Sequence, residues 1–143
     1  MATHGTLVAA SSIERGVRMM STETMKYIYW ISTGLFSFAM LSSAYQYLTQ
    51  EKMKAAFVHL GYPDYFRVEL AVAKVLGIFT LVLPVNLLLK EWAYAGFTIT
   101  LLSAFISHLA KKDPPSRYMA PVIVGVILVF SYLSFHQLFS LTV

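Results

Sequence analysis

Apolar and polar positions along this chain gather into four long apolar runs, separated by short charged stretches. Residues 27–48, 92–110 and 118–143 contain no aspartate, glutamate, lysine or arginine. The remaining run, residues 67–89, is apolar apart from Arg67 at its edge, Glu69 and Lys74. A helix needs about 20 apolar residues to cross a hydrocarbon core of about 30 Å. Three runs meet that length, and the run after Arg67 meets it only when it starts near Glu69. The pattern predicts an all-α fold, a bundle of four transmembrane helices, and a multi-pass integral membrane protein whose solvent is the lipid bilayer.

Breakers and interfacial residues place the ends. Lys26, Tyr27, Tyr29 and Trp30 anchor the start of the first span, with Tyr45 and Tyr47 at its other interface. Gly61-Tyr62-Pro63-Asp64 is a turn signal ahead of the second span. That span is predicted to kink at Pro84, which cannot bond to the Thr80 carbonyl, and to close at Lys90-Glu91. Trp92 would then open the third span after almost no loop, making an antiparallel hairpin. Pro114 and Pro115 stop the third span, and the fourth starts near Tyr118, with Pro121 in its first turn. Gly34, Ser37, Gly77, Gly96, Ser103 and Ser107 are small enough to let helices approach closely.

Residues 1–25 are weakly patterned and are expected to be a mobile N-terminal tail, with an interfacial turn around residues 13–20. Residues 26–143 form the membrane domain. Leu7 to Ala10 is too short for a signal-peptide core, and Glu14 and Glu23 argue against an acid-poor transit peptide.

Composition narrows the chemistry. The chain is 57% hydrophobic and 13% charged, about half the charged share of a soluble domain. Its net charge of +4 does not point to nucleic acid, because the basic residues lie at span edges, where cations meet lipid phosphates. Lys52, Lys54, Arg67, Lys111, Lys112 and Arg117 fall on one side, and Arg15, Arg18, Lys26 and Lys90 on the other. That balance leans toward a cytoplasmic place for the first group. The absence of cysteine excludes disulfides, thiolate nucleophiles and cysteine-held iron–sulfur clusters. Any redox chemistry must belong to a bound cofactor or a partner.

The ionisable residues near the membrane collect at the more basic side. Glu69, Lys74, His108, Asp113 and Arg117 fall at similar depth there, beside Tyr45, Gln46 and Tyr47. Ionisable groups at that depth cost a few kcal/mol each on insertion scales, so they need partners or duties. Glu69 has Lys74 or Arg67 as candidate partners, and His108 has Glu69 or Asp113. Glu69 and Lys74 are five residues apart, about 140° around a helix, so they do not share a face. Glu69, Lys74, His108, Asp113, Gln46 and Tyr45 are the candidate ligand-binding set; an interfacial ion-pair cluster that fixes helix register is the competing reading. No metal site is expected. Haem is disfavoured because His136 lies near the interface opposite His108. His59 is expected to be solvated, and Asn86 and Glu91 to serve as cap and interface residues.

ELAVAKVLGIFTLVLP, KEWAYAGFT and SAFISHLAKKDP together resemble the DoxX-like family of small four-helix membrane proteins. The pattern is Glu69, Lys74 and Gly77, then His108 followed by Asp113 and Pro114, and it covers roughly residues 27–140. Members of that family often carry a glycine before Asp-Pro, where this chain has Lys112. The resemblance implies one of several roles: quinone-linked sulfur-compound oxidation, membrane antioxidant complexes, or receptor assembly. Two readings follow. In the first, the bundle holds a quinone or another small lipophile at the Glu/Lys/His cluster, beside a redox complex. In the second, it is a non-catalytic assembly protein that meets a partner membrane protein. A homo-oligomer is compatible with either, and the sequence identifies no reaction.

Overall fold

The computed structural model describes residues 2–142 and contains, among them, five helices and no strand. These are α1 (Ala2–Thr49), α2 (Glu51–Leu60), α3 (Asp64–Val82), α4 (Leu87–Ala110) and α5 (Pro115–Thr142). α1 packs against α3 and α5, and α4 packs against the same two helices from the other side.

Each long helix buries one stripe at helical spacing. On α1 it is Tyr29, Thr33, Phe36, Met40 and Ala44; on α3, Ala71, Lys74, Ile78 and Leu81. On α4 it is Lys90, Tyr94 and Phe97, and on α5, Leu128, Ser131 and Ser134. Steps of three and four residues keep a stripe on one face of a 3.6-residue helix. Phe36, Met40, Ile78, Leu81, Tyr94, Phe97 and Leu128 form the apolar core.

The outward faces are equally apolar. Phe38, Phe79, Trp92, Ile99, Ile106 and Phe130 are all more than half exposed. A helix set that is apolar all round has lipid or protein, not water, as its surroundings. By length and composition, two helices could cross a membrane: α4, and residues Pro115–Ser140 of α5, with mean hydropathies of 1.4 and 2.0. α3 carries Asp64, Arg67, Glu69 and Lys74 within 19 residues, and α1 is diluted by Ser32, Thr33, Ser37, Ser42 and Ser43. Four spans were expected; the composition of the helices supports two outright.

Three boundaries differ from expectation. The link between α3 and α4 is residues 83–86, so Lys90 and Glu91 lie inside α4 instead of forming a loop. Pro84 follows the end of α3 and kinks no helix, while the Asn86 side chain caps α4 by accepting from the Leu89 amide at 2.9 Å. α5 begins at Pro115, so Pro121 falls in its second turn. Residues 51–60, read as loop, form α2, which ends at Gly61 in the left-handed region with φ 88°.

α1 continues without a break through the residues set apart as a tail. Hydroxyls there bond back onto the helix: Ser11 and Ser12 to the Val8 carbonyl, Ser21 and Thr22 to Arg18, and Thr24 to Met20.

The turn between α4 and α5 contains one departure from ordinary geometry. Lys112 adopts φ 57°, left-handed for a residue with a Cβ. That conformation costs a non-glycine residue roughly 1–2 kcal/mol. Lys112→Gly should therefore raise stability by about 1 kcal/mol, after allowing for the entropy glycine adds to the unfolded chain. Thermal unfolding in detergent checks this; a lower midpoint for Lys112→Gly would refute the strain.

Candidate functional site

Polar side chains gather in three environments, two of which hold candidate residues. Asp113, 7% exposed at its side chain, is the hub of the first. His108 Nδ1 lies 2.7 Å from its Oδ2 and His59 Nε2 lies 3.1 Å from Oδ1, with Arg117 Nη1 3.6 Å from Oδ1. The Asp113 amide also bonds the His108 carbonyl at 3.0 Å, folding the turn back on α4. Beside it, the Tyr62 hydroxyl and Ser107 Oγ are 2.7 Å apart, which seats the α2–α3 turn against the end of α4. His59 is exposed, as expected, and is also a partner of Asp113. Of the partners considered for His108, Asp113 is the one it meets.

These contacts, chiefly the His108 hydrogen bond and then those of His59 and Arg117, hold the Asp113 carboxyl below the usual aspartate range. The carboxylate therefore adds stability above its unfolded pKa of about 3.9, and that contribution disappears as pH falls through the lower folded value. Wild type should lose thermal stability below about pH 4 more steeply than Asp113→Asn. Parallel pH profiles would remove Asp113 from the account.

The second environment surrounds Lys74. This lysine is 5% exposed on the inner face of α3. Its Nζ donates to Ser43 Oγ at 2.7 Å and lies 3.7 Å from the centroid of the Tyr47 ring. Ser43 and Tyr47 are one turn apart on α1, so they present one face to it. Tyr45, the tyrosine expected there, is 67% exposed, and Gln46 is half-buried with no side-chain hydrogen bond among the described residues. Arg67 is held at the same end of α1, pairing with Asp64 and donating from Nη1 to the Tyr47 carbonyl. A cleft of about 180 Å³ between α3 and α4 has Lys74, Gly77, Trp92 and Phe97 in its wall.

Glu69 belongs to neither group. It is exposed on α3, and among the described residues its carboxylate has no hydrogen-bond or ion-pair partner. The 140° offset from Lys74 accounts for this: one faces inward, so the other faces out. No hydrogen bond or ion pair joins Lys74 to His108, and among the described residues no group of three metal-ligating side chains occurs.

The third environment lies toward the other end and was not anticipated. Lys90 is 7% exposed and donates to the Leu81 carbonyl at 2.6 Å, a carbonyl that also accepts from the Tyr29 hydroxyl at 3.1 Å. The Leu81 carbonyl lies in the last turn of α3, where carbonyls have no intrahelical donor, and Pro84 brings no amide to the turn. An ammonium is a favourable partner for such a helix end. Nearby, Ser131 Oγ lies 2.7 Å from Thr33 Oγ1 and 2.8 Å from the Tyr94 hydroxyl. Glu91 pairs with His136 at 2.5 Å and accepts from the Tyr132 hydroxyl at 3.4 Å. The available sequence signal was Pro84, which orphans carbonyls that a following lysine can reach.

The two buried lysines therefore differ. Lys90 serves a helix end, whereas Lys74 is mid-helix and, among the described residues, meets the Ser43 hydroxyl and the Tyr47 side chain but no carboxylate. A family model described as the DoxX-like family matches residues 31–131. No curated protein and no solved structure matches the chain.

Proposed function

The chain belongs to the DoxX-like family, and from that membership we propose a multi-pass membrane protein that binds a small lipophile with a hydrogen-bond-accepting head, quinone-like in chemistry, at Lys74. The four spans are the part of α1 from Tyr27 onward together with α3, α4 and α5. Residues 26–143 are the membrane domain, and residues 1–25 lie outside the lipid.

One observation carries the ligand reading: among the described residues, buried Lys74 meets no carboxylate. An ammonium offers three donors, and Ser43 takes one. A buried cation so thinly partnered is costly, and a carbonyl or anionic oxygen completes it. The cleft beside it, about 180 Å³, is the size of a head group; whole ligands occupy several hundred Å³, so the tail would lie along lipid. A quinone supplies two-electron redox chemistry when bound, and this chain supplies position and a donor. His108 and Asp113 close the loop end.

The test is absorbance and native mass spectrometry of the protein extracted with its own lipids, for wild type and Lys74→Met. A discrete bound mass in wild type that is reduced at least about tenfold in Lys74→Met fits the loss of one charge-assisted hydrogen bond. Equal retention in both overturns the site. A ligand-free protein that carries a stoichiometric membrane partner would instead favour assembly.

A further inference from the structure

α4 and α5 leave a second, larger space between them, on the side away from Lys74's cleft. It is a groove of about 790 Å³, within the range of small-molecule sites. On α4 it runs from Glu91 to Phe105, about 20 Å at 1.5 Å per residue. Tyr94, Thr98, Leu101 and Phe105 line one wall, and Gly125 forms part of the other. Among its lining residues Glu91 is the only charged one, and it stands at one end.

We propose that this groove is a binding site for a long apolar molecule whose head donates hydrogen bonds, a hydroxyl or an amine, with Glu91 as the acceptor. This goes beyond the Lys74 reading, in place and in head-group chemistry. Charge complementarity selects the occupant. His136 engages Glu91 Oε1 and Tyr132 engages Oε2, which holds the carboxylate in place. A carboxylate offers about four lone-pair positions, so both oxygens keep acceptor capacity. Its side chain is 34% exposed, so that capacity is accessible. Lys90, the adjacent cation, is turned away into the core toward the Leu81 carbonyl. An anionic head in this groove would thus meet the Glu91 carboxylate with no lysine or arginine in the wall to offset it. A donor head meets an acceptor already oriented by two neighbours, and the apolar walls take its tail.

Gly125 offers a way to fill the groove without displacing backbone. A Cβ there would sit 3.9 Å from Leu101 Cδ1, an ordinary contact.

The experiment uses the full chain in phosphatidylcholine vesicles with three photoactivatable probes. They share one long alkyl chain and end in a hydroxyl, an amine or a sulfonate. The hydroxyl and amine probes should label α4 and α5 peptides at least about tenfold more than the sulfonate probe, as expected for a charge-assisted hydrogen bond set against like-charge repulsion. Glu91→Gln should narrow that preference to within about twofold. Gly125→Leu should abolish the labelling, and Gly125→Ala should leave it. Equal labelling by all three probes on wild type overturns the proposal, because a mere lipid-facing surface would not sort heads. That result on wild type needs no variant to fold, and retention of the native lipophile at Lys74 is read separately from it.

Discussion

Gly77→Leu should leave little or no folded protein, and even Gly77→Ala should lose about 1–3 kcal/mol. Propensity alone points the other way, since alanine in a helix interior gains about 0.8–1.0 kcal/mol over glycine. Contact decides the sign. A Cβ at residue 77 would lie 2.7 Å from both Cε2 and Cζ of Phe97, well inside van der Waals contact. Phe97 cannot yield cheaply: it is 4% exposed and packs edge-to-face on Phe36, 4.9 Å between centroids, which is itself fully buried. A leucine adds three further carbons to the same collision and forces α3 and α4 apart. Helix association in lipid relies on such close approach because no hydrophobic drive exists there between helices. Thermal unfolding or protease resistance in detergent provides the measurement. Combining Gly77→Ala with Phe97→Leu should cost less than the sum of the two, since the smaller side chain vacates the overlap. Additive losses would mean that the ring is not the obstacle.

The two buried lysines should respond to the same substitution in opposite directions. Lys74→Met in ligand-free detergent should be neutral or stabilising by about 1–4 kcal/mol, because it replaces a poorly partnered buried charge with an apolar chain of similar length. Lys90→Met should destabilise by about 1–3 kcal/mol, because the Leu81 carbonyl loses its charged donor and keeps only the Tyr29 hydroxyl. Both side chains are shut off from solvent, 5% and 7% exposed, so the comparison weighs chiefly their partners. Should both variants shift stability the same way, Lys74 is a structural residue and the ligand reading loses its main support.

The helical content was legible because lipid-compatible runs longer than 18 residues have few other uses. Residues 27–48, 92–110 and 118–142 each fall inside a long helix. The family was legible too, from the order of Glu69, Lys74, Gly77, His108 and Asp113, and residues 31–131 match it. The α3–α4 turn was misplaced because charge was taken as the mark of a loop. Lys90 can lie inside a helix, since the preceding turn exposes a carbonyl for it, and Pro84 was the better marker. Tyr45 was preferred to Tyr47 because span edges say nothing about rotation. Only the partner's position on α3 reveals that Ser43 and Tyr47 form the inward face. His59 is solvent-exposed as read, but nothing local in EKMKAAFVHL shows that its ring also meets Asp113.

The uninterrupted course of α1 gives the molecule a lever. At 1.5 Å per residue its 48 residues extend about 72 Å, more than twice a hydrocarbon core of about 30 Å. If the lipid starts near Tyr27, the leading arm stands about 37 Å clear of the membrane. Tilting its foot by about 10° then sweeps the far end through roughly 6 Å, so a modest repacking of α1 against α3 and α5 becomes a large displacement far from the bilayer. Ser11, Ser12, Ser21, Thr22 and Thr24 turn their hydroxyls back onto carbonyls of the arm, a bonding pattern that slightly weakens a helix and so sets how stiff the lever is.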